Sequence, residues 1–259
     1  MTLATPNSHR PSQNRLLAAL DTEDLQLLIP RLTPVTLEKG ALLYDPGDLV
    51  DTVYFPDDCV ISLMTLMESG AAIESATIGR EGALGLMAAV SPRQSLSRAI
   101  VQVGGKARRI TAAHLHRAWE QSAQIRDLTD RHNEALFAHA IHSVACNALH
   151  SVEARFCRWL LSCHDRIDSS TVSLTQEFLA DMLGVQRTTV TVVARALQAA
   201  GLIRYRRGVV DILDRAGLEA IACECYQAVR RNYQRLLPDP FPQRDQEPKA
   251  ALAPPARRG

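Results

Sequence analysis

The chain carries almost no net charge: 29 Lys and Arg against 28 Asp and Glu leave +1 across 259 residues. Nothing global marks a nucleic-acid binder, so any such surface has to be local. No apolar run approaches the length of a membrane span, and no membrane partner is expected. No secretion signal is read either, which makes a reducing cytoplasm the expected compartment and the thiols small buried hydrophobes. No phosphate loop, zinc-protease motif or nucleophile elbow occurs, so no enzyme is expected. Cysteine is scarce in the first half: of those at 59, 146, 157, 163, 223 and 225, Cys59 alone precedes Cys146.

What is present is an ordinary globular composition, 46% hydrophobic and 22% charged, in a chain long enough for two domains. Residues 1–14 are polar with two prolines and read as a loose leader. Arg15–Leu20 and Thr22–Ile29 read as short helices, with Asp21 or Thr22 capping the second. From Leu32 the period changes to two. Strand candidates at 32–37, 41–44, 52–55, 60–66, 71–78, 97–103 and 107–110 alternate with Gly, Pro and Asp turns, a pattern expected of a small antiparallel barrel or jelly roll. Gly79–Leu86 interrupts them as a glycine-lined turn with one short helix. A helical tract from Ser122 to His150 has two apolar sides, one with Ile125, Leu128, Ala135, His142, Cys146 and Leu149, the other with Phe137, Ile141, Val144 and Ala148. Two apolar faces require two burial surfaces, and the second is expected to be the same helix of another subunit; the first set is assigned to that seam. A helix from Glu153 to Leu161 follows, and Asp214 caps a last one running to Leu236. The tail 238–259 is rich in proline and polar residues and is expected to be disordered.

The most informative stretch is Ser173–Leu213, SLTQEFLADMLGVQRTTVTVVARALQAAGLIRYRRGVVDIL. Thr175 is a plausible cap for a helix through Phe178 and Met182. Gly184 turns the chain, and a second helix runs from Gln186 to Ala200 on the stripe Val190, Val193, Ala194 and Leu197. Two short strands then flank a tight turn at Arg207-Gly208. Helix, glycine turn, helix and hairpin make a winged helix-turn-helix, whose second helix enters the major groove. Its exposed side carries Gln186, Arg187, Thr188, Thr189 and Thr191, which with Thr175 at the start of the first helix are DNA-binding candidates. Arg187 suits guanine O6 and N7, Gln186 suits adenine, and the threonines can hold phosphates. Arg204, Arg206 and Arg207 on the hairpin suit phosphate contact. From Ser173 to Arg235 nine Arg face six acidic residues, a modest local excess.

This stretch closely resembles the Crp/Fnr superfamily of bacterial transcription regulators, and the resemblance extends over about Leu16 to Leu237. It implies an α+β architecture: a cyclic-nucleotide-binding-like sensor (15–120) built as an antiparallel β-barrel or jelly roll, a long dimerisation helix (121–150), and a winged helix DNA-binding domain (151–237). The expected function is a homodimeric regulator on palindromic promoter sites, with double-stranded DNA, a second copy and RNA polymerase as partners and effector-biased or constitutive binding. The alternative is a small-molecule binding module acting through a protein partner. By position, Arg187 matches the family's major recognition arginine. Thr188 replaces an often acidic base reader, and Val192 replaces a second base-reading arginine, so the familiar half-site is not implied.

The sensor departs further from the family. Its cyclic-nucleotide cradle uses a glycine and a glutamate, then an Arg-Ser or Arg-Thr pair. Here Gly82 is followed by Ala83, which cannot accept the ribose hydroxyl's hydrogen bond, and Arg98-Ala99 lacks the second hydroxyl. Gly82, Ala83, Arg98 and, in the preceding loop, Arg93 are the effector-pocket candidates. Cyclic nucleotide, a histidine-bound haem and an iron-sulfur cluster are all disfavoured, and no metal site is expected. Cys223 and Cys225, read on one helix, would point about 200° apart and not pair; thiol sensing and plain burial both stay open.

Overall fold

The computed structural model describes residues 13–238. Most of the leader and nearly all of the tail lie outside them. The chain opens with two short helices, α1 (Arg15–Ala18) and α2 (Thr22–Leu28), the second capped by the Asp21 carboxylate accepting the Asp24 N–H. Seven strands follow: β1 (Thr33–Leu37), β2 (Leu42–Tyr44), β3 (Thr52–Pro56), β4 (Val60–Leu66), β5 (Ala72–Ile78), β6 (Arg98–Val103) and β7 (Gly105–Thr111). All pair antiparallel, in two sheets ordered β1-β7-β3 and β2-β6-β4-β5. Leu37, Ala107, Ile61, Ile78, Ala99 and Val101 fill the core between them.

The expected closed barrel does not form. Among the described residues neither sheet closes on itself or joins the other, and the β3 and β5 edges are covered by other elements. The Tyr54 N–H and C=O of β3 bond Leu84 in the Gly79–Leu86 turn. At the far edge, β5 is packed by α4 (Ala123–Leu149) and α6 (Gln176–Leu183). A helix or loop over an edge removes the pressure to pair it with another strand.

After α3 (Ala112–Gln121), Ser122 caps α4 by accepting the Ile125 N–H, and Ser151 caps α5 (Val152–His164) through Ala154. The part expected from the sequence to be a DNA-reading head is α6, α7 (Arg187–Ala199) and a three-stranded sheet of β8 (Thr171–Ser173), β9 (Ile203–Arg206) and β10 (Val209–Ile212), ordered β8-β10-β9. The terminal helix read from sequence is two helices, α8 (Arg215–Ile221) and α9 (Cys225–Leu236), broken at Ala222–Glu224.

Sheet and reading head share one core. Val60 and Met64 of β4 are buried with Phe156, Trp159 and Leu160 of α5 and with Leu179 and Met182 of α6. On the same sheet face Ser62, Glu74 and Gln102 form a buried polar trio. Burial pushes the Glu74 carboxyl up to about 7, against the opposing pull of its Ser62 hydrogen bond and the Arg158 guanidinium. Arg166, just past α5, is buried and donates to the buried Glu81 at 2.8 Å, while Arg80 bonds the Arg166 carbonyl and Asp168. The Gly79–Gly82 turn is thereby bolted to the reading head.

Candidate nucleic-acid interface and the sites around it

The interface begins with a cap. The Thr175 hydroxyl accepts the Phe178 N–H and starts α6; Gly184, at φ 61°, ends it in the left-handed region and lets the chain turn into α7. Thr175 is thus occupied as a cap. Val190, Ala194 and Leu197 bury one side of α7. That leaves Gln186, Arg187 and Thr188 exposed at its N-terminal turn, with Thr189 and Thr191 half-buried. Gln186 sits at the cap position without capping through its side chain. Thr191 is already engaged, donating to Gln176 and to the Arg187 carbonyl. Val192 is 66% exposed and Arg195 is exposed one turn further along. Arg195 escaped the sequence reading because no pattern separates it from the stripe beside it.

The wing is a two-residue hairpin in which Arg206 pairs with Val209 across Arg207 (φ 49°) and Gly208 (φ 77°), two successive left-handed residues. Arg204, Arg206 and Arg207 are exposed. Tyr205 ties the wing down by donating to the Leu174 carbonyl at 2.9 Å, and its hydroxyl feels the Arg187 guanidinium of α7. The wing strand β9 packs against α7, where the Tyr205 N–H donates to Gln198 at 2.7 Å, so the exposed arginines of both elements belong to one packed unit.

Residues 154–221 match the model of the Crp-like helix-turn-helix domain. Among solved structures, the chain is similar to FixK2 from Bradyrhizobium japonicum, with a TM-score of 0.63 at 16% identity over 74% of this chain and 98% of that one. The chain has the Crp/Fnr regulator fold. A CRP-family transcriptional regulator from Thermus thermophilus shares that fold with a TM-score of 0.59 at 20% identity, over 73% of this chain and 96% of the other. CLP, a c-di-GMP-responsive global regulator from Xanthomonas campestris, gives 0.55 at 15%, over 74% and 99%. No curated protein sequence matches the chain.

Each of the four effector-pocket candidates already has a neighbour within the chain. Gly82 and Ala83 are buried beneath α4. A Cβ on Gly82 would lie 2.5 Å from His132 Nε2, which accepts the Ala83 N–H at 3.2 Å. Burial pushes His132 down to about 4, so this imidazole is neutral, as an acceptor must be. Arg93 is exposed and donates to the Met87 carbonyl; Arg98 is held by Asp45 through two hydrogen bonds of 2.9 and 2.7 Å.

The residues assigned to the dimer seam divide as follows. Ile125, Leu128, Ala135 and Cys146 are buried within the chain itself, the first two lining an apolar hollow with Leu17, Leu28 and Phe55. His142 is half-buried, and Leu149 is 77% exposed. The apolar side left open is the other one: Phe137, Ile141 and Val144 are 68%, 53% and 73% exposed, with Ala148 exposed beyond them.

The cysteines also depart from the helical-wheel argument. Cys223 precedes α9 and Cys225 opens it, so the 200° separation does not apply. Both turn toward the end of α4, where Cys146 Sγ lies 3.4 Å from Cys223 Sγ and His150 Nδ1 lies 3.6 Å from Cys225 Sγ. Hydrogen bonding with Cys223 pulls the Cys146 thiol below the usual range against the effect of burial, with Arg158 adding to the pull, while Cys223 is pushed up.

Proposed function

We propose that the protein is a homodimeric transcription regulator that reads a palindromic promoter site in double-stranded DNA through α7 of each protomer. The observation that carries this reading is the exposed first turn of α7, with Gln186, Arg187 and Thr188, on a helix that packs against the arginine-bearing strand β9. Arg187 is positioned to donate a bidentate pair to a guanine, and the exposed Val192 suits a thymine methyl rather than the guanine an arginine would take there. Arg204, Arg206 and Arg207 supply phosphate contacts that set register. The self-complementary stripe of Phe137, Ile141, Val144 and Ala148, spaced by four, three and four residues, pairs the long helices. Two-fold symmetry then places the two recognition helices about 34 Å apart. RNA polymerase is the protein partner at the promoter, and the cytoplasm is the compartment. Effector binding to the sensor, or protein abundance where binding is constitutive, sets occupancy. Gly82 packed against His132 and Ala83 in place of an acceptor argue against a cyclic nucleotide as that effector.

The test is selection and sequencing of genomic fragments on purified protein, with and without a small-molecule extract. A recovered palindrome is the expected result, and Arg187→Ala should lose about 1 to 3 kcal/mol of discrimination at one base pair per half-site. No enriched site under either condition, or an unchanged preference in Arg187→Ala, overturns the reading.

A further inference from the structure

Four soft-metal donors meet where the long helix ends and the terminal helix begins. Cys146 and His150 lie one turn apart on α4 and its C-cap, while Cys223 lies in the break between α8 and α9 and Cys225 opens α9. Their ligand atoms, three Sγ and one imidazole nitrogen, all lie within 4.8 Å of one another, and the three thiols are buried. A tetrahedral zinc ion with bonds of about 2.3 Å to sulfur and about 2.0–2.1 Å to nitrogen holds two sulfurs roughly 3.7–3.8 Å apart and a sulfur and a nitrogen roughly 3.5–3.6 Å apart. The Cys225–His150 separation of 3.6 Å falls at the sulfur–nitrogen spacing, and the Cys146–Cys223 separation of 3.4 Å is a few tenths of an ångström short of the sulfur–sulfur one. The histidine is oriented as a ligand would be. Its Nδ1 faces the thiols, while Nε2 points away from them, with the exposed Glu224 carboxylate at 3.8 Å, beyond hydrogen-bond distance. Three thiolates would bring net negative charge, and the Arg155 and Arg158 guanidiniums of α5 act on them electrostatically.

We infer that Cys146, His150, Cys223 and Cys225 form a mononuclear, four-coordinate zinc site that clamps the end of α4 to the start of α9. Donor type selects the ion: three thiolates and an imidazole suit Zn²⁺ over the harder Mg²⁺ or Ca²⁺. Closeness of the donors selects one ion rather than a cluster, whose cysteines must surround several iron atoms. All four positions are taken by protein, which makes the site structural and leaves no vacancy for a reacting water. Its place gives it a mechanical role. Arg155 also donates to the Leu183 carbonyl at the end of α6, so the clamp lies one side chain from the helix-turn-helix.

The test uses full-length protein purified under reducing, oxygen-free conditions, independently of any DNA. Metal analysis should find one zinc per chain, and cobalt(II) in its place should show the intense visible bands of tetrahedral thiolate coordination. In competition with a chromophoric chelator, Cys223→Ala, Cys225→Ala and His150→Ala should each weaken zinc binding by on the order of 100-fold or more, beyond the 10–100-fold typical of outer-shell changes. Cys157→Ala, a buried thiol outside the cluster, should leave it unchanged, and far-UV circular dichroism checks that each variant is folded. Failure of the folded wild-type protein to take up zinc or cobalt overturns the inference. So does uptake that persists in Cys223→Ala and His150→Ala, a weak octahedral cobalt spectrum, or a Cys146–Cys223 disulfide in air without metal uptake by the reduced protein.

Discussion

Val144→Glu separates the two faces of the long helix. Val144 is 73% exposed and sits mid-way along the open apolar stripe. Full burial of a valine is worth at least about 1.5 kcal/mol, so pairing this one stabilises the dimer by roughly 1 to 2 kcal/mol per copy. Two-fold symmetry applies the loss twice and brings two carboxylates into the seam, where their repulsion adds about 1 kcal/mol. The total, roughly 3 to 5 kcal/mol, weakens dimerisation about 10²- to 10⁴-fold. Sedimentation velocity over a concentration series measures this, and urea unfolding should show the monomer's own stability nearly unchanged. Leu128→Glu should do the opposite: Leu128 is 8% exposed against its own chain, so an unpaired carboxylate there costs about 3 kcal/mol or more of folding stability. A Val144→Glu protein with the wild-type dimer constant refutes the reasoning. A Leu128→Glu protein as stable as wild type yet monomeric refutes it equally.

Arg207 occupies a left-handed position, so Arg207→Gly removes a phosphate contact while relieving backbone strain; it should lower DNA affinity at every sequence and reduce the salt slope by about one contact, measured by anisotropy at several salt concentrations. A change confined to one base position would instead make the wing a sequence reader. Glu74 sets a pH dependence. Its folded pKa of about 7 lies above its ordinary 4.5, so the folded state holds the proton more tightly and stability falls as pH rises from about 4.5 to about 7, by on the order of 3 kcal/mol. Glu74→Gln should match wild type in urea unfolding at pH 4.5 and exceed it at pH 8; a difference independent of pH would remove Glu74 as the cause.

Local chemistry made much of the reading head legible. Thr175 as a cap, Gly184 as a left-handed stop and Arg207-Gly208 as a hairpin turn are decided by residues a few positions apart, and the structure has each. Ser122 and Asp214 cap their helices for the same reason. What failed was non-local. Closure of the barrel depends on what covers the β3 and β5 edges, and those partners, Leu84 and the helices α4 and α6, come from later in the chain. Two apolar stripes on α4 cannot say which one the chain keeps for itself. Neither glycine nor proline marks the break at Ala222–Glu224, so the convergence of Cys223 and Cys225 with Cys146 and His150 had no local signature.

The core shared by β4, α5 and α6 bears on how such a protein can switch. A head joined by a bare linker pivots freely, and a ligand need only bias its angle. Here any rotation first has to unseat Trp159 and Met182 from Val60 and Met64 and part the buried Arg166 from Glu81. A reorientation of the head at this joint would be a repacking between discrete arrangements rather than a continuous pivot.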